Sequence, residues 1–317
     1  MSEQKPVYSL SISGRMTLEM HSLNNEGGEG NQTMTRTVTL VDPQGGIHKV
    51  NAISGDMFKH IQAEHFYRLA RERGLPLCAG CKTFRSDRIL GDKGFITGLP
   101  AEDEKAIETL LQHCALDDAE GTLIAKGVRS VPRKSVAEFS WVVGLPDKVR
   151  TESYFHVRYA QERGGDEEVS QPIFHRPASS GIYAAVATFE LARIGFNDIS
   201  QTYALGEEER LRRYQAFLES VLHTFVEPSG AMRGTQNPHI VAFDGVITVS
   251  YAVLPAPTIS ALADNYVEQV QKVTQALDGD GQKLQVYLFA DMAGFATTMR
   301  QILENSRPYR LFGENGG

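Results

Sequence analysis

Long apolar runs are missing from this sequence. Nowhere do about 18 apolar residues stand together, so no segment has the character of a bilayer-spanning helix. The polar start, Met1 to Pro6, leads into no apolar signal core, and the chain is read as cytosolic with no membrane partner. Cysteine is scarce, at Cys78, Cys81 and Cys114 only. An odd count in such a chain argues against a disulfide framework. Catalytic signatures are missing too. There is no Gly-x-Ser-x-Gly elbow, no His-Glu-x-x-His, and no Gly-Lys-Ser/Thr closing a glycine loop. The nine histidines are scattered, and no internal repeat is visible.

What is present is ordinary for a globular protein. The 317 residues are 41% hydrophobic and 22% charged, enough for one core with a large insertion. The formal charge is −7. Residues 1–150 carry 19 Lys+Arg and 19 Asp+Glu, whereas residues 151–317 carry 13 and 20, so the whole excess is C-terminal. Phosphate affinity depends on the local field and on backbone donors, so a neutral half with basic clusters remains compatible with RNA.

Periodicity outlines the elements. Val7 to Leu18 alternates as a strand, and Arg36 to Val41 reads as a second. Between them 24–31 has no apolar residue and three glycines, which predicts a loop. Ser54 is placed to cap a helix reaching Arg73, stopped by Gly74 and Pro76. Residues 75–150 are rich in Gly, Cys and Asp, with one good helix near 101–113, and read as an insertion. Residues 151–180 read as a long hairpin whose tip is the acidic Asp166-Glu167-Glu168, followed by a strand at 182–194. Glu207 to Phe225 is strongly amphipathic. Ile240 to Leu254 is mostly strand, interrupted at Asp244-Gly245. Helices are expected at 259–277 and 292–304, with a strand at Leu284 to Phe289. The order suits an α+β, ferredoxin-like core with insertions.

Five segments could carry chemistry. In the 24–31 loop, Asn25 and Asn31 flank glycines that would let backbone N–H groups approach an anion; a plain surface connection is the competing reading. Ser54 to His60 begins a helix, where free N–H groups attract phosphate and Lys59 and His60 add donors. Lys126 to Ser135 contains four basic residues and no acid, with Arg129, Arg133, Lys134 and Ser135 as phosphate positioners, or simply a solvated loop. Ser229 to His239 gathers Arg233, Thr235 and Gln236 in one connection. Finally, Cys78-x-x-Cys81 with His113-Cys114 would give tetrahedral zinc three thiolates and an imidazole, although adjacent His and Cys are an unusual ligand pair. Three reduced, buried thiols are the other reading. The acid pairs Asp117-Asp118 and Glu26/Glu29 could hold magnesium, but solvated acids are commoner.

Taken in order, Ile12-Ser13-Gly14-Arg15, the loop 24–31, Asn51 to His60, Ser179 to Tyr183 and the 230–239 loop resemble the DevR family of repeat-associated CRISPR proteins. The cysteine pair with Cys114 to Gly121 also looks like its type I-B branch. These are the Cas-seven backbone subunits of type I Cascade. The resemblance implies an RRM-like palm (1–74 and 182–317), an inserted finger domain (75–150) and a thumb hairpin (151–181). It implies stacking of copies head-to-tail on CRISPR guide RNA, target DNA bound through the guide, contacts with other Cascade subunits, and no catalysis. No cofactor is required; a structural zinc at the cysteines stays an open alternative to three reduced thiols. The Phe/Tyr stacking signature of an ordinary RRM is absent, so RNA is not expected on the sheet face. The alternative is a metal-dependent endoribonuclease, as in related type III subunits, with Glu26, Glu29 or Asp56 as the acid. Lys59 and Arg233 are expected to flank one groove.

Overall fold

A computed structural model describes residues 4–42, 44–157, 173–230 and 236–312. Seven strands form the main path of its central sheet: β1 (Ser9–His21), β2 (Thr37–Val41), β3 (Ile47–Ile53), β4 (Val142–Val157), β5 (Ile173–Phe189), β6 (His239–Ser250) and β7 (Leu284–Phe289). They lie in the order β7-β6-β1-β5-β4-β3-β2, each neighbouring pair antiparallel.

Side-chain alternation gives the sheet two covered faces. Leu10, Ile12, Met16 and Leu18 of β1, Tyr183, Ala185 and Ala187 of β5, and Phe243 and Ile247 of β6 all enter the larger core cluster. On that face lie helices α1 (Gly55–Glu72) and α4 (Glu207–Val226). They join through Phe66 and Phe217, ring centroids 5.8 Å apart, and through Gln62 Nε2 donating to Ser220 Oγ at 2.8 Å. Residues of opposite parity, Ala52, Val143, Ala184 and Val246, build a second cluster with Ala261, Tyr266 and Val270. Segment 256–265 crosses that face in non-helical form. Ser11 Oγ donates to the carbonyl of Pro257 and Arg15 Nε to that of Ala261. The helix expected over 259–277 therefore begins only at Tyr266 and ends at Leu277. Met292–Asn305 forms the last helix, its Phe295 5.4 Å from Phe225.

Three other expectations change. The apolar-free stretch 24–31 is largely a hairpin, Asn25–Glu29 pairing with Gln32–Thr35, because backbone pairing does not require apolar side chains. The strand expected at 182–194 is the second half of one long strand, β5, ending at Phe189. The strand expected to break at Asp244-Gly245 runs through it, because both residues pair with β1.

Residues between α1 and β4 form short 3₁₀ turns, a short helix (Lys93–Thr97), helix α2 (Asp103–His113), helix α3 (Ala115–Glu120), the hairpin Thr122–Lys126/Arg129–Arg133 and a short strand (Ala137–Phe139). Their Ile89, Ile107, Leu110 and Leu116 belong to the same cluster as α1 and α4. The chain rejoins the sheet first at Ala137–Phe139, paired with the end of β5, and then at Val142, opposite Ile53. Asp118 of α3 locks this arrangement. Its buried carboxylate accepts Arg133 Nη2 at 2.8 Å, Arg213 Nη1 at 3.0 Å and the Gly195 N–H at 3.0 Å. The solvated reading of Asp117-Asp118 is therefore overturned, since both residues are fully buried. Among the described residues no helix is long and apolar enough to cross a membrane.

Replacing Asp118 with Ala leaves two buried guanidinium groups short of a counter-charge. The expected loss is about 3 kcal/mol or more of unfolding free energy, read as a lower urea midpoint at unchanged slope.

Candidate nucleic-acid interface

Several of the segments singled out above meet near the start of α1. Ser54 caps the helix, its Oγ accepting the Met57 N–H at 3.2 Å, while its own N–H donates to Asn24 Oδ1 at 2.7 Å. The hairpin 25–35 is thereby fastened to the helix start. Gly55 allows a close approach: a Cβ there would lie 2.2 Å from the Phe139 carbonyl oxygen. Gly230 does the same on the other side, where a Cβ would lie 2.5 Å from the Leu23 carbonyl oxygen. Thus 229–230 abuts the segment leading into the 24–31 hairpin. Arg233 and Thr235 lie outside the described residues. Gln236 is half-buried, with Oε1 enclosed and unbonded among the described residues.

One turn into α1, Asp56, Lys59, His60 and Ala63 line a cleft of about 390 Å³ with Phe84, Arg85, Ser86, Arg88 and Leu116. Lys59 is half-buried, and desolvation holds its pKa below the ordinary lysine value, with Glu120 opposing the shift. Glu120 is fully buried, which pushes its carboxyl above the usual range. Arg85 is exposed and pairs with Asp87 at 2.6 Å. Arg88 Nη1 donates to the Gly121 carbonyl at 2.8 Å. The cleft thus combines Lys59 and His60, expected from sequence, with two arginines that the sequence reading missed. Their signal was available in Phe84-Arg85-Ser86-Asp87-Arg88, a short basic stretch inside the insertion.

The basic run 126–135 behaves differently. It forms a hairpin whose cations are engaged within the chain. Arg129 reaches Asp103 and the Pro100 carbonyl. Arg133 is buried, bonded to Asp118, Asp198 and the carbonyls of Phe196 and Arg193. Its expected role as a phosphate contact is thereby corrected to a structural one. Lys134 bridges Glu138 at 3.1 Å and Glu190 at 3.2 Å, and Ser135 Oγ accepts the Ala137 N–H. Asn25 Oδ1 accepts the Ser22 hydroxyl, and the Asn31 carbonyl accepts the His175 N–H at 2.8 Å, tying the glycine hairpin to β5.

Strands β4 and β5 continue as a paired ribbon from Val149↔Gly181 to Val157↔Ile173. Phe155 on this ribbon is 59% exposed, an aromatic surface the sequence reading did not single out. The acidic tip 166–168 lies outside the described residues. Glu26, Glu29 and Asp56 are exposed, and among the described residues they belong to no cluster of three or more groups able to hold a metal.

Such a cluster does exist in the insertion: Cys78, Cys81, Cys114 and Asp117, all buried. His113, expected as the fourth ligand, is elsewhere. Its Nε2 lies 2.9 Å from Asp92 Oδ2, and its ring stacks on Phe95. The reason is helical geometry: His113 ends α2 and points away from Cys114, whereas Asp117 follows Cys114 by one turn.

A sequence model of the family described as "CRISPR-associated negative auto-regulator DevR/Csa2" matches residues 12–271. The chain belongs to this family. "CRISPR-associated protein Cas7/Cst2/DevR" of Methanocaldococcus jannaschii is 26% identical over 292 residues, covering 84% of this chain and 88% of that protein. "CRISPR-associated protein Cas7/Csa2 1" of Saccharolobus solfataricus is 24% identical over 281 residues, covering 84% and 87%. A chain of a solved structure titled "CRISPR RNA-guided surveillance complex, pre-nicking" aligns over 96% of both chains, at 12% identity and a TM-score of 0.49. The DevR/Csa2 match contains the α1 junction, the cationic cleft and the cysteine cluster; β7 and the last helix lie beyond it.

Behind the junction of this DevR/Csa2 chain, His21 closes β1. It is buried against Tyr183, ring centroids 4.9 Å apart, with Nε2 unpartnered among the described residues. Desolvation lowers its pKa from 6.5 to about 4. The unfolded chain therefore takes up this proton near pH 6.5 and the folded chain only near pH 4. Protons favour the unfolded state in that window, and stability falls as pH drops through it. The contribution is on the order of 3 kcal/mol. In urea titrations at pH 7 and pH 4.5, His21→Phe should reduce the pH dependence; an unchanged dependence would contradict a neutral buried imidazole.

Proposed function

We propose that this chain is a guide-RNA-binding backbone subunit of a CRISPR surveillance complex and catalyses no reaction. Copies stack head-to-tail along the guide spacer, contact other Cascade subunits, and support pairing of the guide with target DNA. The observation that carries this reading is the cleft that gathers the basic side chains Lys59, His60, Arg85 and Arg88 beside a capped helix N-terminus. Helix-start N–H groups and side-chain cations suit phosphate, which fixes an RNA strand without reading its sequence. Family membership supplies the CRISPR context.

The same reading assigns the parts. The order β6-β1-β5-β4, with α1 and α4 on one face, fits a ferredoxin-like palm drawn from 1–74 and 182–317, once the start of β4 at Val142, outside those bounds, is added as its fourth strand. The insertion 75–150 corresponds to the fingers, whose Arg85 and Arg88 face the palm's Lys59. The ribbon within 151–181 corresponds to the thumb, with Phe155 available to stack against a base. A negative chain is no obstacle, because base pairing supplies specificity and the protein contacts backbone and shape.

The purified protein is expected to carry RNA, and its affinity for guide RNA should fall with salt through counterion release. Lys59→Ala and Arg85→Ala should each weaken binding by about 1 kcal/mol, roughly fivefold per subunit, and flatten the log–log salt slope by about 0.7. Circular dichroism would check that the fold is kept. Salt-independent binding, or full-length assemblies at unchanged protein concentration in both variants, would overturn the assignment. Incubation with magnesium and labelled RNA should leave the RNA intact. Magnesium-dependent cleavage lost in Asp56→Asn or Glu26→Gln would instead make the protein an endoribonuclease.

A further inference from the structure

The insertion closes around three cysteines of the core cluster and one carboxylate, Asp117, whose burial apolar packing does not explain. Cys78, Cys81, Cys114 and Asp117 are buried, and their sulfur and carboxylate atoms all lie within 4.8 Å of one another. Asp117 Oδ2 is 3.3 Å from the sulfurs of both Cys78 and Cys81. Its Oδ1 is enclosed and has no hydrogen-bond partner among the described residues.

The local backbone repeats itself. Cys78 and Cys81 are three residues apart, and so are Cys114 and Asp117. In each pair the second residue's N–H donates to the first residue's sulfur, at 3.3 Å for Cys81 and 3.5 Å for Asp117. One pair opens a 3₁₀ turn, Cys81–Thr83, and the other opens α3. Such N–H groups stabilise sulfur as thiolate, the form that binds metal. Zinc–sulfur bonds of about 2.3 Å place the ligands of a tetrahedral ion about 3.8 Å apart, so this spacing needs adjustments of no more than about 1 Å.

We propose that Cys78, Cys81, Cys114 and Asp117 bind one zinc ion as a closed structural site. Three sulfurs favour zinc over the oxygen-seeking magnesium and calcium. The nearby cations make their direct bonds elsewhere, although the charge of Arg88 is felt at Asp117. Arg133 and Arg213 meet Asp118, and Arg88 reaches the Gly121 carbonyl. Binding expels the protons that the three thiols and the Asp117 carboxyl carry to solvent, leaving thiolates and a carboxylate, so the reaction involves no redox step. The ion joins the turn that leads into Arg85 and Arg88 to the helix that carries Asp118. The proposal is independent of the RNA reading, because it concerns only how the insertion is held.

The test uses full-length protein purified under reducing, chelator-free conditions. About one zinc per chain is expected by mass spectrometry, and cobalt exchange should give the visible bands and thiolate charge-transfer band of a tetrahedral site. His113→Ala should keep the ion. Cys114→Ser should lose it, roughly a tenfold drop, whereas Asp117→Cys should keep it by completing a four-sulfur set. Chelation should lower the melting temperature of the wild type and of Asp117→Cys, but not that of Cys114→Ser. Less than about 0.1 zinc per wild-type chain, or a cobalt spectrum without sulfur charge transfer, would overturn the site whether or not Cys114→Ser folds. Undiminished zinc in a folded Cys114→Ser would also overturn it, by locating the ion elsewhere.

Discussion

The Asp118 carboxylate stands where four parts of the chain meet: α3, the hairpin ending at Arg133, helix α4 through Arg213, and the turn at Gly195. All three charged side chains are withdrawn from water. Burying them singly would be costly, so each position depends on the others. Arg133 reaches Asp118 only if the hairpin lies across α3, and Arg213 reaches it only if α4 lies beneath. The rest follows from this joint. With α3 fixed, Leu116 and the turn carrying Arg85 and Arg88 are brought over α1, and the insertion shares the core of the sheet.

The cleft beside α1 therefore depends on tertiary structure more than on any local motif. Its basic side chains come from Lys59 and His60 on one side and from Arg85 and Arg88 on the other. The junction around Ser54 needs glycine at two places. At Gly55 and Gly230 the chain passes so close to other backbone that a side chain would collide with a carbonyl oxygen. These constraints fix the start of α1, where N–H groups are left over, against the hairpin 25–35 and the 229–230 segment.

Sequence revealed the elements whose ends are marked by side chains. Ser54 and Gly74 bound α1, and the glutamates at 207–209 begin α4 as expected. Leu284 to Phe289 is the strand its composition predicts. Sequence failed where the deciding partner is distant. Nothing local to Arg133 reveals that Asp118 and Asp198 await it, so a buried anchor looked like a basic loop. The glycine stretch looked like a loop because its pairing is carried by backbone. His113 attracted attention as a zinc ligand by residue type, whereas the i, i+3 relation of Cys114 to Asp117 repeats the Cys78–Cys81 spacing and was legible. Arg85 and Arg88 could be seen as basic, but only the fold brings them to Lys59.

The negative total charge is also a matter of placement. Of the acids in α3, Asp118 is matched by two arginines. Burial raises the Glu120 carboxyl, and in the metal-free chain it pushes Asp117 up to about 8. The acids of α3 thus present little negative charge to the surface. Lys59 and Glu120 are near enough to feel each other's charge, and Asp56 remains exposed at the helix start, where a carboxylate complements the dipole. A phosphate entering the cleft would meet Lys59, His60, Arg85 and Arg88 before any unmatched carboxylate other than Asp56. Formal charge counts every acid equally; the folded chain turns the acids of α3 inward, away from the basic side chains of the cleft, so a formal charge of −7 does not argue against the proposed anion-binding role.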